Sequence, residues 1–269
     1  MDSVTDKREN ICAILMLKNE NRYVLNEDGS KPQYTMLEQV IRRLKSIVEE
    51  VYIVDNGSTD GSREVYDRYK DVLIKYIVYN DPDLPFDDVR DRKILFEKAK
   101  ERGMKWMLVV DGDEVYEDKA TEWIHEFCQQ DPHAHLNAKF HYINIWRGRK
   151  KYRVDAWHNS WFARLYSIHN LVLFGDPLHS YHFRYALGNG MSLGQQVEAP
   201  VKCLHYGWAD WDHRVKKTER YMRRDMELTG ISYSQAQEKY SQDTNERGIR
   251  LRDADPNWAS EFRNGVIDY

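Results

Sequence analysis

At 269 residues, 41% hydrophobic and 31% charged, the chain can bury one good core with appendages, and a single catalytic domain is the simplest division. A formal net charge of −4 gives no general electrostatic drive toward nucleic acid or an anionic membrane. No stretch approaches the ~20 apolar residues of a membrane span, and Met1 to Asn10 is polar with no signal-peptide core, so a cytoplasmic protein without a transmembrane segment is expected.

The apolar run Ile11 to Leu17 reads as a first strand ending in Lys18-Asn19-Glu20. Asn21 to Gln33, with Glu27-Asp28-Gly29 and Pro32, is a polar surface insertion. Met36 to Val48 carries apolar residues at amphipathic-helix spacing. A second strand, Val51 to Val54, runs into Asp55-Asn56-Gly57-Ser58-Thr59-Asp60-Gly61-Ser62, where two glycines permit tight turns and Ser58, Thr59 and Asp60 are good helix caps. A helix over Ser62–Tyr69, a strand over Val72–Tyr79, the Pro-bearing loop Asp81 to Phe86 and a helix over Asp88–Arg102 follow. Then comes Trp106-Met107-Leu108-Val109-Val110, a buried strand whose end delivers Asp111-Gly112-Asp113-Glu114. This alternation argues for a largely parallel sheet.

After Tyr116 the pattern changes to a short helix, Thr121–Gln129, and aromatic strands at Lys139–Trp146, Trp161–Ser167 and Leu171–Phe174. A helix over Trp211–Leu228 carries Arg214, Lys216, Lys217, Arg220, Arg223 and Arg224; it reads first as a solvated face, with a phosphate-bearing acceptor or peripheral membrane contact as the alternatives. Ser232 to Tyr269 is polar and expected to wrap the domain or order a partner. Cys12, Cys128 and Cys203 are odd in number and far apart, which implies core thiols and neither a disulfide framework nor a zinc site. The aromatic residues, 13% of the chain, are read mainly as core.

Two carboxylates one residue apart at a strand's carboxyl end suit a divalent cation such as Mg²⁺ or Mn²⁺, held weakly and with positions open to substrate phosphates. With a polar helix-opening loop after the second strand and Lys18-Asn19-Glu20 after the first, the chain resembles glycosyltransferase family 2, well over residues 11 to 115 and more loosely over 160 to 225. The resemblance implies a GT-A fold: a mostly parallel, Rossmann-like α/β sheet flanked by helices, with a variable acceptor side. The division expected is a polar tail (1–10), a catalytic domain (11–210, with a nucleotide-binding half 11–116 and an acceptor-side half 117–210) and a C-terminal helical extension (211–269).

By the same resemblance, Asp113 is the direct metal ligand, and Asp111 contacts the ribose or reaches the metal through water. Asp55 meets the base and ribose, with Asn19, Glu20 and Ser58 lining the pocket. Either Arg90 or Arg92 reaches the nucleotide or its phosphates, and the spacing does not choose between them. His205, in Leu204-His205-Tyr206-Gly207-Trp208, completes the metal shell and favours Mn²⁺ over Mg²⁺. His133, His135, His141, His158 and His169 lack such placement.

The general base is less legible. Some relatives carry a Glu where this chain has Ser180, in Phe174-Gly175-Asp176-Pro177-Leu178-His179-Ser180. Asp176 on the same loop is the first substitute, with His179 assisting and Glu114 and Asp155 as alternatives. The activity expected is metal-dependent, inverting transfer of a hexose-type sugar from a UDP-sugar. A sugar nucleotidyltransferase and a catalytically inactive nucleotide-sugar binder are the other readings. Saccharide, lipid-linked, protein and modified-DNA acceptors all remain open.

Overall fold

Strand and helix alternate strictly through the first 111 residues: β1 (Ile11–Leu17), α1 (Met36–Ile47), β2 (Glu50–Asp55), α2 (Ser62–Tyr69), β3 (Ile74–Tyr79), α3 (Asp88–Glu101) and β4 (Trp106–Asp111). The computed structural model describes residues 8, 10–84, 87–155, 160–176, 180–188, 190–241 and 249–258. Side chains in the strands alternate between faces and so build two cores. Ile11, Ala13, Leu15, Val51, Ile53, Trp106, Leu108 and Val110 pack with α1 on one face. Cys12, Ile14, Tyr52, Val54, Met107 and Val109 pack with Leu95, Phe96 and Ala99 of α3 on the other.

The helices start where the local chemistry permits. Thr35 caps α1 by accepting the Glu38 N–H, and Asp87 caps α3 by accepting the Arg90 N–H. At α2 the cap residue is Gly61, in a left-handed conformation, and Asp60 acts from one residue earlier by accepting the Ser62 N–H at 3.1 Å.

The second half adds β5 (Glu114–Tyr116), α4 (Ala120–Phe127), β6 (Leu136–Asn144), β7 (Lys151–Arg153), β8 (Trp161–Ser167), β9 (Leu171–Asp176), β10 (Ser180–Leu187), β11 (Gly190–Ser192), β12 (Gln195–His205), α5 (Trp211–Thr229), α6 (Tyr233–Lys239) and β13 (Leu251–Asp253). The central sheet runs β3-β2-β1-β4-β8-β6-β12-β5. Pairing is parallel from β3 to β4; β8 is antiparallel to both of its neighbours, β6 and β12 are parallel, and β5 is antiparallel to β12. The sheet is therefore mostly parallel, with β8 and β5 reversed. Helices flank it, as the α/β reading expects.

Three local expectations are corrected. Asp176 is the last residue of a strand and not a loop residue: β9 pairs antiparallel with β10, Ser180 opposite Asp176. The C-terminal segment is not wholly helical, because β13 pairs with β7, and Trp258 packs edge-on to Tyr152 at 5.3 Å. The basic helix is not simply a solvated face. Arg214 is buried between aromatic rings, its guanidinium 4.0 Å from Trp146 and 4.8 Å from Trp211, so α5 is held by cation–π contacts as well as apolar burial. Among the described residues no helix is long and apolar enough to cross a membrane.

Candidate active site

The loops after β1 and β2 are tied together. The Asn19 N–H donates to Ser58 Oγ at 2.9 Å, the Thr59 N–H donates to Asn19 Oδ1 at 2.8 Å, and the Asn21 N–H donates to Asp60 Oδ2 at 2.7 Å. Asp55 organises this loop from beneath. It is fully buried, with Oδ1 accepting the Ser58 N–H at 2.7 Å and Oδ2 accepting the Tyr66 hydroxyl at 2.8 Å. Asp55 thus holds the loop with one oxygen and α2 with the other.

At the end of β4 the acidic turn is held by arginines from two other elements. Arg92 of α3 donates to Asp111 Oδ1 at 3.2 Å and to Asp88 Oδ1 at 2.7 Å. Arg164 of β8 donates through Nη2 to Asp111 Oδ2 at 2.8 Å and to Glu114 Oε1 at 2.6 Å. Burial works to raise the Asp111 pKa, but Arg164 and Arg92 prevail and hold the carboxyl well below the usual carboxylate range. Arg90 takes a different partner, its Nε donating to Asp91 Oδ1 at 2.7 Å. The choice that spacing left open falls to Arg92 as the arginine brought to the acidic turn.

Glu114 has a structural office. It is 1% exposed, and it accepts hydrogen bonds from the Tyr142 hydroxyl and Arg164 on Oε1 and from the Asp111 N–H on Oε2. Burial and the neighbouring Asp111 and Asp113 push its carboxyl up to about 8, against Arg164 and Tyr142. A carboxyl so enclosed shapes the turn. Asp155 is likewise occupied, gripped by Arg153 at 2.8 Å. Ordered near Asp113 is Glu20, raised to about 7 by burial and by Asp113.

Asp113 is buried against the segment after β12 and against α5. His205 Nε2 stands 3.6 Å from Asp113 Oδ1, and Lys217 Nζ of α5 stands 3.4 Å from Oδ2. All three groups converge over Gly207. A Cβ there would lie 2.5 Å from Lys217 Nζ and 2.6 Å from both Asp113 Oδ2 and His205 Nε2, so a larger residue would push these side-chain ends apart. Register explains His205: β12 places it beside Asn144 of β6 and opposite Glu114 of β5. Asn144 Oδ1 pairs with His205 Nδ1 at 2.7 Å, which assigns the proton to Nδ1 and turns the Nε2 lone pair toward Asp113. Burial pushes His205 down to about 4, so it is neutral at pH 7. Asp113 is held well below the carboxylate range, burial being outweighed by Lys217, His205 and Arg22.

Among the described residues no three His, Cys, Asp or Glu side chains gather round one point. The donors on offer to a divalent ion are Asp113 and His205, close enough to share one ion, with Asp111 engaged by arginines. That set fits an open site whose remaining ligands are substrate oxygens and water.

The structure thus brings together Asp113, His205 and Asp111, with Arg92, and draws Asn19, Glu20, Asp55 and Ser58 into adjacent loops. The side chains of Asp176 and Ser180 lie outside the described residues, as do residues 177–179 and His158. Sequence reasoning missed Arg164, Tyr142 and Asn144, and placed Lys217 on the basic helix without a partner. Arg164 left one signal, a charge inside an otherwise apolar and aromatic strand, and Lys217 sits at helical spacing from His213 and Arg220.

The model of a family described as Glycosyl transferase family 2 matches residues 24–195. A search of curated proteins returned no significant match. Among solved structures, the chain aligns with S. aureus TarS 1-349 at 16% identity and TM-score 0.39, over 59% of this chain and 47% of that one. The same TarS segment in complex with UDP-GlcNAc aligns at 17% and 0.37, over 54% and 40%. A 4-diphosphocytidyl-2C-methyl-D-erythritol synthase aligns at 15% and 0.37, over 59% and 75%. The chain spans less than half the length of these TarS structures, and alignments at such scores carry no weight for function.

Proposed function

The chain belongs to glycosyl transferase family 2, and on that premise we propose that it transfers a hexose-type sugar from a UDP-sugar to an acceptor hydroxyl, metal-dependently and with inversion. The observation that carries the reading is the convergence of Asp113, His205 and Lys217 over Gly207, beside the arginine-held Asp111. The choice of UDP follows the resemblance of the loop from Asp55 to Ser62. Asn19, Glu20, Ser58 and Arg92 would line the nucleotide site, with Asp55 positioning Ser58 and Asp111 near the ribose; Arg90 belongs to the same helix end.

In this reaction the acceptor oxygen bonds to the anomeric carbon while the bond from that carbon to the diphosphate oxygen breaks, and the electron pair leaves with UDP. Negative charge grows on the diphosphate. Asp113 and His205 would hold Mn²⁺ or Mg²⁺, with imidazole favouring Mn²⁺, and the bound ion supplies Lewis-acid stabilisation of that charge. Lys217 adds a fixed positive charge at the same place, kept protonated by Asp113 against the effect of burial. Arg164 and Arg92 keep Asp111 ionised and oriented. The acceptor's proton goes to a carboxylate; with Glu114 and Asp155 engaged elsewhere, we propose Asp176 at the end of β9.

The test is a panel of nucleotide-diphosphate sugars, with nucleoside diphosphate release followed with and without Mn²⁺. UDP release that requires Mn²⁺, and that Asp113→Asn abolishes in a folded protein, supports the proposal. Pyrophosphate release would point to nucleotidyl transfer, and binding without turnover to an inactive binder.

A further inference from the structure

A cavity of about 280 Å³ opens between segments 24–29, 147–148 and 209–211, outside the residues assigned to transfer above. We propose that it is a binding subsite for a neutral pyranose of the acceptor, with the Trp211 indole as its stacking face. This rests on the glycosyl-transfer reading.

Trp211 is 47% exposed at the start of α5, a helix that buries one face through Arg214, Thr218, Met222 and Asp225. The Arg214 guanidinium lies over the ring at 4.8 Å and is itself pinned on Trp146. The indole is therefore backed by a fixed cation and offers its remaining surface to solvent. Leu25, 37% exposed, adds a second apolar contact. Around them stand an amide, two carboxylates and a guanidinium, from Asn26, Glu27, Asp210 and Arg147. An aromatic face with hydrogen-bonding groups at its edge matches a pyranose, whose C–H face is apolar and whose hydroxyls point outward. Two carboxylates against one arginine disfavour a phosphate.

The walls are fixed to one another before any ligand arrives. Glu27 Oε1 accepts the N–H groups of Arg149 at 3.0 Å and Lys150 at 2.6 Å, and the Gly148 N–H donates to Ala209 O at 3.0 Å. Gly148 has φ +93, and a Cβ on it would come within 3.1 Å of Glu27 Oε1. A site held this way loses little freedom on binding.

Its position suits an acceptor. Ala209 follows Gly207 by two residues, and Arg22, two residues before Val24, donates to Tyr206 O at 3.4 Å, so cavity and transfer centre share a wall. Segments 147–148 and 209–211 follow β6 and β12, while 24–29 belong to the β1–α1 connection that also carries Asn19 and Glu20, so the cavity is walled from both sides of β4 and adjoins the transfer centre.

The experiment titrates the full chain, ¹⁵N-labelled, with glucose, galactose, N-acetylglucosamine and their disaccharides, without nucleotide, following the Trp211 indole N–H, assigned by its loss in Trp211→Phe. A saturable shift with at least one saccharide is expected. Trp211→Ala should weaken that binding about tenfold, the scale of one lost stacking face, as read on the remaining amide signals, while calorimetry finds UDP affinity unchanged. Asn26→Ala tests the same cavity without touching α5 and should weaken saccharide binding several-fold. No saturable shift, or full saccharide affinity in both variants, overturns the subsite. Saccharide binding at Trp211 without any UDP-sugar turnover overturns the transfer reading alone; turnover without saccharide binding overturns the subsite alone.

Discussion

Lys217 Nζ lies 3.4 Å from Asp113 Oδ2, on the carboxylate whose other oxygen faces His205. The ammonium and a divalent ion therefore draw on the same negative charge. Lys217→Met should lower the turnover rate by about 10²-fold, as expected when a fixed charge on the leaving group is lost, and should also lower the Mn²⁺ concentration that gives half-maximal rate. Release of UDP across a Mn²⁺ titration reads both. An unchanged rate would reduce Lys217 to a structural ion pair.

Gly207→Ala introduces a methyl group 2.5 to 2.6 Å from the three groups that converge there. Activity should fall by about 10²-fold or more, since misplacement on the scale of 1 Å costs that much. The melting temperature should drop only slightly, because Lys217 can swing away. A variant with wild-type turnover would show that the groups need not meet above this glycine.

Arg164 donates to two carboxyl groups, one of them 1% exposed. Its replacement by Met takes one of two arginines from Asp111 and a donor from the buried Glu114 Oε1, and urea unfolding at pH 7 should show a loss of about 1 to 3 kcal/mol. Adding Glu114→Gln should recover part of it if the Glu114 side carries the penalty. Equal stability of the single and double variants would mean that Glu114 is not the source of the penalty.

His213 is pushed down to about 3, first by burial and then by Arg22, with Lys217 and Arg220 adding to it. A histidine whose folded pKa lies below its unfolded value of about 6.5 stabilises the fold relative to a charged one above that pH. The contribution is lost progressively as pH falls from about 6.5 toward 3. Denaturant midpoints at pH 7.5 and 5.5 should therefore differ less in His213→Gln than in the wild type. An identical pH dependence would argue that His213 is already charged in the folded protein.

Residues up to Glu114 were legible because the information there is local. An apolar run bounded by charge makes a strand and puts its polar flank at the sheet's carboxyl edge, so Asn19, Asp55, Asp111 and Asp113 could be placed on strand ends from pattern alone. Pattern does not show what such a group holds in the folded chain: the Asp55 oxygens accept the Ser58 N–H and the Tyr66 hydroxyl. What only tertiary structure decided joins distant segments. Arg92 rather than Arg90 reaches Asp111 because of how α3 is rotated against the sheet. Arg164 enters because β8 is inserted antiparallel between β4 and β6, and His205 finds Asn144 through the β6–β12 register. Lys217 meets Asp113 because α5 is docked by Arg214 among tryptophans. Periodicity tells a residue which face it occupies; which other segment covers that face is settled by strand order and helix packing, which depend on the whole chain's burial at once.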